Sequence, residues 1–342
     1  MSKPRIAING FGRIGRTIAR INAISNNFDL VLINDKNSDI ENLSYLFKYD
    51  STFGKFEGEV ANSKSKLFIN HSEINYSSFE NLNEINFEKF KVDILIDSSG
   101  IFGNAKKSRE LISKRVIKKC IITHSNSEAD IDIVMGVNDN LINENHKVLS
   151  SSICDANAIA HVLNWIDKEY GIKDGSLTTL HPWLSYQNLV DAPAMSQSIS
   201  GNVWPDYALG RSSVGSVIPK NTTAMTAVEN ILPNLKNRIL SFSYRIPTAL
   251  VATSDITLNL NSQVDSKSLI AFLEQMCLDS PYVEMNSESL ISLDYEKNYA
   301  SAIIDKQWVK SVNNVVKLIL WYDNEWAYSA RVLDLVSKIA KI

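Results

Sequence analysis

The 342-residue sequence predicts an α/β chain with an N-terminal doubly wound parallel sheet, a mixed α+β domain and a C-terminal helix. Three observations predict this class. A glycine-rich turn joins the first strand-like run to a helical pattern, strand-like and helical patterns then alternate up to Thr123, and the strand-like runs after Ser150 are richer in Thr and Ser. Regular alternation of strands and helices is typical of a parallel sheet covered by helices.

The N-terminal elements follow from the spacing of apolar residues. Strands are predicted at residues 4–9, 28–34, 92–97 and 116–123, and helices at residues 16–24, 40–49 and 106–113. Residues 52–91 are polar with weak alternation, which indicates antiparallel hairpins at an edge of the sheet.

The second half has a different pattern. Strands are predicted at residues 177–180, 239–246 and 251–260, and helices at residues 156–168, 224–231, 266–278 and 326–342. No Pro/Gly/Ser-rich linker separates the two halves. We therefore expect two domains, at 1–150 and 151–324, and a closing helix at 325–342.

The composition argues against several classes of protein. Hydrophobic residues make up 44% of the chain, and 35 basic against 38 acidic residues give a net charge of -3, so nucleic acid is not an expected partner. No apolar run approaches the ~20 residues of a membrane-spanning helix, and Met1 leads almost directly into a strand, so neither a membrane segment nor a signal peptide is expected. Three cysteines without a Cys-x-x-Cys pair favour a reducing, cytoplasmic location.

The first turn predicts a dinucleotide site. Gly10, Gly12 and Gly15 lie between a strand and a helix, and Asp35 follows Gly15 by 20 residues at the end of the next strand. Such a turn lets the backbone approach a pyrophosphate, and the acidic residue accepts the ribose hydroxyls. A purely structural turn is the alternative. The charge of Asp35 disfavours a 2′-phosphate, so we expect NAD in a Rossmann-type domain, although Lys36 could offset part of that repulsion.

Cys154 is the candidate nucleophile. It precedes the helical pattern at 156–168, and a helix N-terminus lowers a thiol pKa and offers amides to an oxyanion. His181 follows the strand at 177–180 and could act as its base. Cys120 and Cys277 lie in apolar patterns and are predicted to be packing residues. The remaining histidines lack metal-ligand spacing, so no metal is expected.

Five segments resemble the glyceraldehyde-3-phosphate dehydrogenases and occur in that family's order: 8–16 (INGFGRIGR), 33–35 (IND), 46–51 (LFKYDS), 134–138 (VMGVN) and 321–326 (WYDNEW). The resemblance implies that residues 1–150 form an NAD domain and residues 151–324 a catalytic and oligomerisation domain of a homotetramer. It also implies a small aldehyde substrate, Cys154 as nucleophile, His181 as base and Asn324 at the nicotinamide carboxamide. The residues it assigns to the cofactor are Asn9, Gly10, Phe11, Gly12, Arg13, Ile14, Gly15, Asp35, Lys36, Ser99, Gly100, Asn324 and Tyr328.

The sequence departs from the family's pattern where that family binds anions. Asp155 stands in the place of a threonine, and two hydroxyl positions after the histidine are Leu184 and Tyr186. The residues assigned to the substrate are Asp155, Tyr186, Arg211, Thr222, Thr223 and Arg245, of which Arg245 matches the family's substrate arginine. Because several charge-assisted contacts are lost, we expect an altered substrate or acyl acceptor.

Three functions stay open at this point. The chain is a diverged NAD-dependent aldehyde dehydrogenase, an ordinary phosphorylating enzyme, or a weak enzyme kept for binding NAD or a protein partner. Asp155 could activate water or cap the helix that follows. Trp183, Trp204 and Tyr207 could shape a pocket or an interface. The basic stretch at 106–119 is interpreted as a solvated helix face.

Overall fold

A nine-stranded sheet, β10-β11-β9-β8-β1-β2-β7-β6-β5, organises the first part of the computed structural model, which describes residues 3–37, 39–195, 203 and 206–342. Trp204 lies outside the described residues. Contacts divide the chain into two compact units, one of Met1–Ile133, Leu141–Ser152 and Ser329–Ile342, the other of Val134–Asn140 and Ile153–Tyr328.

The strands of the first unit are β1 Arg5–Asn9, β2 Asp29–Asn34, β3 Tyr49–Asp50, β4 Gly54–Lys55, β5 Val60–Ser63, β6 Lys66–Ile69, β7 Ser72–Ser77, β8 Ile94–Asp97, β9 Lys119–Ile122, β10 Ile131–Asp132 and β11 Val148–Ser150. Its helices are α1 Arg13–Ser25, α2 Ile40–Lys48 and α3 Asn104–Ser113.

The pairing confirms the doubly wound parallel sheet. From β10 to β7 every neighbouring pair is parallel, and the predicted antiparallel edge is found where β5, β6 and β7 pair. The central strands are buried on both faces, as parallel strands covered by helices must be. The short strands β10 and β11 have no local signal of their own and extend the sheet only by pairing with β9.

The strands of the second unit are β12 Ile172–Pro182, β13 Ile218–Lys220, β14 Ile239–Ile246, β15 Ala252–Leu260, β16 Val283–Asn286, β17 Ala302–Asp305, β18 Lys310–Val312 and β19 Val315–Tyr322. The helices are α4 Cys154–Tyr170, α5 Ala224–Ile231, α6 Ser266–Leu278 and α7 Trp326–Ile339, the last of which continues into the residues of the first unit. The sheet order is β13-β14-β12-β15-β19-β17-β16, with β18 paired to β19.

Helix α4 lies on one face of this second sheet, where it contacts β12, β15, β17 and β19. Its residues from Ala156 to Ile166 are mostly buried in an apolar cluster shared with those strands. The strand predicted at 177–180 is much longer in the structure, because β12 pairs along its length with β14 and β15 and this pairing includes polar residues. The N-terminus of α4 and the carboxyl end of β12 therefore meet over the sheet.

No helix among the residues described is both long enough and apolar enough to cross a lipid bilayer.

Candidate active site

The glycine turn is tightly packed at Gly10 and Gly15 but has open space at Gly12. Gly10 has φ +89°, and a Cβ there would lie 2.6 Å from the Ser99 nitrogen. A Cβ on Gly15 would lie 2.1 Å from the Gly10 oxygen, whereas a Cβ on Gly12 would meet none of the described residues within 4 Å. Helix α1 begins after Gly12 with no side-chain cap and no acidic residue in its first turn. A helix N-terminus without a side-chain cap offers backbone N–H groups to an anion such as a pyrophosphate.

Asp35 lies against this turn, and its predicted contact with the ribose hydroxyls stays a prediction. Its Oδ2 accepts a hydrogen bond from the Phe11 amide at 2.6 Å and its Oδ1 accepts one from the Asn37 amide at 2.9 Å. The carboxylate thus holds the turn to the end of β2. Lys36 is exposed, and Arg13 forms an ion pair with Asp50 at 2.6 Å.

A buried polar cluster supports the turn from below. Asp97 Oδ1 accepts hydrogen bonds from Asn9 Nδ2 at 2.6 Å and from Ser99 Oγ at 2.8 Å. Burial raises the pKa of Asp97, and these donors counteract the rise. Gly100 follows with φ +74°, while Ile14 is half-buried on α1. Asn9 and Ser99 thus bind Asp97 next to the glycine turn in this structure.

The segment before α7 places Asn324. Asp323 Oδ1 accepts hydrogen bonds from the amides of Glu325 at 3.0 Å and Trp326 at 2.8 Å, which caps the helix. Asn324 is buried, and its Oδ1 has no hydrogen-bond partner within the part of the chain described. A buried amide oxygen without a donor is costly unless a ligand supplies one, which fits the role that the resemblance assigns to Asn324. Tyr328 is buried in the first turn of α7.

Cys154 and His181 meet although 27 residues separate them. Cys154 is the first residue of α4, and its Sγ lies 3.7 Å from Nε2 of His181. Nδ1 of His181 lies 3.0 Å from the carbonyl oxygen of Pro182. Because a carbonyl only accepts, Nδ1 carries the hydrogen and Nε2 presents its lone pair to the thiol. This is the geometry of a nucleophile and its base.

The electrostatics of the pair differ from the expectation for a helix N-terminus. Burial and the Asp155 carboxylate raise the pKa of the Cys154 thiol well above its usual range, and the Arg245 guanidinium offsets only part of that. The predicted lowering is therefore outweighed. Burial, together with Arg245, lowers the pKa of His181 to about 4, so its imidazole is neutral near pH 7 and free to accept a proton.

Asp155 has a partner that sequence reasoning did not find. Its Oδ1 accepts a hydrogen bond from the Tyr322 hydroxyl at 2.6 Å, and Ser254 Oγ lies 3.3 Å from the same hydroxyl. Asp155 Oδ1 is also 3.9 Å from the Cys154 sulfur. The N-cap of α4 is Ile153 and has no side-chain cap bond, so the suggestion that Asp155 caps this helix is wrong. Tyr322 reaches it because β19 ends beside β15.

Arg245 lies directly opposite His181 in the pairing of β12 with β14. It is 7% exposed, its Nη2 is 3.5 Å from the Tyr186 hydroxyl, and its Nε and Nη1 have no hydrogen-bond partner among the described residues. Buried N–H groups of a charged side chain are rarely left unpaired. Because Arg245 also acts on the pKa values of Cys154 and His181, these N–H groups can bind an anion near that pair.

Lys220 is a second cation at this site and was missed by sequence reasoning. It ends β13, opposite Ser243, and therefore shares a face of the sheet with Arg245. Burial and Arg245 lower its pKa. Lys220 also lines an open pocket of about 590 Å³ with Asp206, Pro219, Asn221 and Phe242. Its position depends on strand pairing, which no local pattern in the sequence reveals.

Three more residues were predicted to bind the substrate, and the structure gives their contacts or exposure. Arg211 is exposed and forms an ion pair with Asp191 at 2.7 Å. Thr222 Oγ1 accepts a hydrogen bond from the Ala224 amide at the start of α5, and Thr223 is exposed. Their assignment to the substrate remains a prediction.

The ligand atoms of Cys154, Asp155 and His181 lie within 4.8 Å of one another, which is close enough to share a metal ion. The neighbouring charges of Arg245 and Lys220 oppose a cation there. The expectation that the protein uses no metal stays a prediction.

Comparison with known proteins identifies both halves of the chain. Residues 4–105 match the family model "Glyceraldehyde 3-phosphate dehydrogenase, NAD binding domain", and residues 153–324 match "Glyceraldehyde 3-phosphate dehydrogenase, C-terminal domain". Similar proteins include the cytosolic glyceraldehyde-3-phosphate dehydrogenase of Gracilaria gracilis, 32% identical over all of both chains. Glyceraldehyde-3-phosphate dehydrogenase 1 of Kluyveromyces marxianus is 34% identical over 98% of this chain and 99% of its own. Glyceraldehyde-3-phosphate dehydrogenase 2 of Bacillus subtilis is 32% identical over 99% and 97%.

Proposed function

The chain belongs to the glyceraldehyde-3-phosphate dehydrogenase family and is an NAD-dependent oxidoreductase, and from that premise we propose that it oxidises a small anionic aldehyde through a thioester on Cys154. The observation that carries the proposal is the contact of Cys154 Sγ with His181 Nε2 at 3.7 Å, beside the unpaired N–H groups of Arg245. Nucleophile, base and anion site lie within one unit of the protein.

The residues act in a fixed order. The Cys154 sulfur attacks the aldehyde carbon while His181 Nε2 takes a proton, and the amides at the start of α4 face the developing oxyanion. Bound NAD supplies the hydride acceptor. Loss of hydride from the carbon leaves an acyl group on Cys154 as a thioester, which a second nucleophile releases.

The substrate is anionic in this proposal because two cations flank the reacting pair. Arg245 offers two buried N–H groups, and guanidinium N–H groups bind carboxylate or phosphate oxygens well. Lys220 adds a second positive charge on the same sheet face. We expect the anionic end of the aldehyde to lie between them.

An ordinary phosphorylating enzyme is the second candidate, favoured by the names of the relatives. Asp155 argues against it, since a carboxylate 3.9 Å from the nucleophilic sulfur repels inorganic phosphate. A catalytically weak, NAD-binding role is the third candidate, favoured by the raised pKa of the Cys154 thiol.

The test is NADH formation from glyceraldehyde 3-phosphate, from glyceraldehyde and from succinic semialdehyde, each with and without inorganic phosphate. Cys154→Ala is the blank. Lys220→Met should raise KM for an anionic aldehyde roughly 10- to 100-fold, because a charge-assisted contact contributes about 1.5–3 kcal/mol, and should change kcat little. Lys310→Met, on an exposed strand, is the matched control. Equal activity of wild type and Cys154→Ala would reject the proposal.

We also propose a homotetramer and a cytoplasmic location. The homotetramer is supported by apolar side chains exposed on β14, and the location by the cytosolic relative.

A further inference from the structure

We infer that Asp155 is the general base that delivers water to the Cys154 thioester, so that the enzyme releases a carboxylic acid. The inference rests on the proposed function, because it concerns the fate of the acyl group on Cys154. It goes beyond that function by assigning the acyl acceptor and a third catalytic residue.

The position of Asp155 fits a base for deacylation. Its Oδ1 lies 3.9 Å from the Cys154 sulfur, and the residue is 7% exposed. A thioester carbon sits about 1.8 Å from its sulfur, so a water within hydrogen-bond reach of this carboxylate is also within reach of that carbon. His181 Nε2 lies 3.7 Å from the same sulfur and is placed for the earlier proton transfer from the thiol.

Tyr322 orients the carboxylate. Its hydroxyl donates to Asp155 Oδ1 at 2.6 Å and lies 3.3 Å from Ser254 Oγ, on the strand that pairs with β19. Burial and Asp155 raise the pKa of Tyr322 well above its usual range, so the phenol keeps its hydrogen and remains a donor. Tyr322 is therefore a positioning residue. A carboxylate used only for helix capping would bind the amides of α4 instead.

The step balances without a further reactant. The water oxygen bonds to the thioester carbon as Asp155 takes a water proton, and a tetrahedral oxyanion forms. The carbon–sulfur bond then breaks, the acid leaves, and the sulfur recovers the proton as a thiol. Thioester and water thus give carboxylic acid and thiol, with no change of oxidation state.

The charges around Asp155 select water over phosphate. Asp155 itself repels a phosphate dianion, and the cations that could compensate, Arg245 and Lys220, are assigned to the anionic end of the substrate. Neutral water carries no such penalty.

The experiment separates deacylation from aldehyde oxidation. p-Nitrophenyl acetate acylates a reactive thiol without NAD, and nitrophenolate release by stopped flow gives a burst for acylation and a steady state for deacylation. Asp155→Asn should keep a burst of about one per chain and lose roughly 100-fold or more of the steady-state rate, the usual range for a general base. Asp279→Asn, at an exposed acid just after the end of α6, is the control and should match wild type.

Two further readouts complete the test. Tyr322→Phe should lower the steady-state rate less than Asp155→Asn and shift its pH profile, which a purely structural loss would not do. With the active aldehyde in ¹⁸O-labelled water, wild type should release a carboxylate carrying one label, and added phosphate should not accelerate turnover. A normal steady state in Asp155→Asn, or accumulation of an acyl phosphate, would overturn the inference alone. Failure of every aldehyde while ester hydrolysis still depends on Asp155 would reject only the proposed function.

Discussion

The Cys154 thiol is placed between opposing charges. Asp155 and burial disfavour the thiolate, while Arg245 favours it, and the net effect is a raised pKa. In the proposed mechanism the Cys154 thiol gives up its proton as the sulfur attacks, and Asp155 opposes that loss. The arrangement is explained if Asp155 is needed in a later step, since the cost in the first step is then offset in the second.

Removal of the Asp155 charge should change the reactivity of the Cys154 thiol. Asp155→Asn should lower the pKa of the Cys154 thiol, because a neighbouring negative charge is removed, and raise alkylation by iodoacetamide about tenfold at pH 7, where the thiolate is the minor form. The measurement is the pH dependence of the alkylation rate, with Cys154→Ala as the blank. Burial raises the pKa of Cys277 to about 12 and raises that of Cys120, so both should contribute little. An unchanged profile would mean that Asp155 does not act on the thiol.

At the scale of elements, different glycines of the turn serve the packing of the fold and the binding of a ligand. Gly15 is required by packing, since a Cβ there would overlap the Gly10 carbonyl at 2.1 Å. Gly12 is not required by packing, because its φ of -71° suits any residue and its Cβ would meet no atom within 4 Å in the part of the chain that the structure describes. Only a ligand approaching the N-terminus of α1 would need that space.

We therefore expect opposite outcomes for two alanine variants. Gly15→Ala should lose about 1–3 kcal/mol of unfolding free energy, as overpacking does, and show a lower Tm. Gly12→Ala should stay within about 0.5 kcal/mol of wild type and weaken NAD binding at least about tenfold. Thermal melts and NAD titration by calorimetry measure both effects. Unchanged NAD affinity in a folded Gly12→Ala protein would place the pyrophosphate elsewhere.

Elements with a local pattern were predicted well. The helices at 224–231 and 266–278 and the strand at 239–246 have the predicted bounds, because apolar spacing specifies which face packs. The strands β16, β17 and β18 were not predicted, and β12 extends beyond its predicted limits. These residues are strands because their neighbours pair with them, and such pairing is not encoded in a short window.

At the scale of the whole molecule, β14 leaves an apolar face uncovered. Leu240 is 80% exposed and Phe242 46% exposed, on the face of the strand opposite to Ser243 and Arg245. Exposed apolar side chains next to one another are typical of an interface. Along β14, the exposed apolar residues therefore lie on one face and Arg245 of the candidate site lies on the other.

The proposed homotetramer gives a mass about four times 38.3 kDa in light scattering. Leu240→Asp should shift the mass towards dimers or monomers, because a carboxylate would be buried without a partner at the interface. Leu278→Asp is the matched control, since Leu278 is 82% exposed at the end of α6. A single-chain mass for wild type would contradict the proposal.

The sequence by itself determined the parts of this protein that depend on neighbours along the chain. The glycine turn with Asp35, the start of a helix near Cys154 and the choice of Cys154 and His181 as candidate nucleophile and base depend on short segments. Only the tertiary structure decided what surrounds them. Tyr322 reaches Asp155 across 167 positions, and Arg245 and Lys220 reach the site through the register of β12, β13 and β14. The physical reason is that a pKa and an anion site are sums over burial and charges in space, which strand pairing sets.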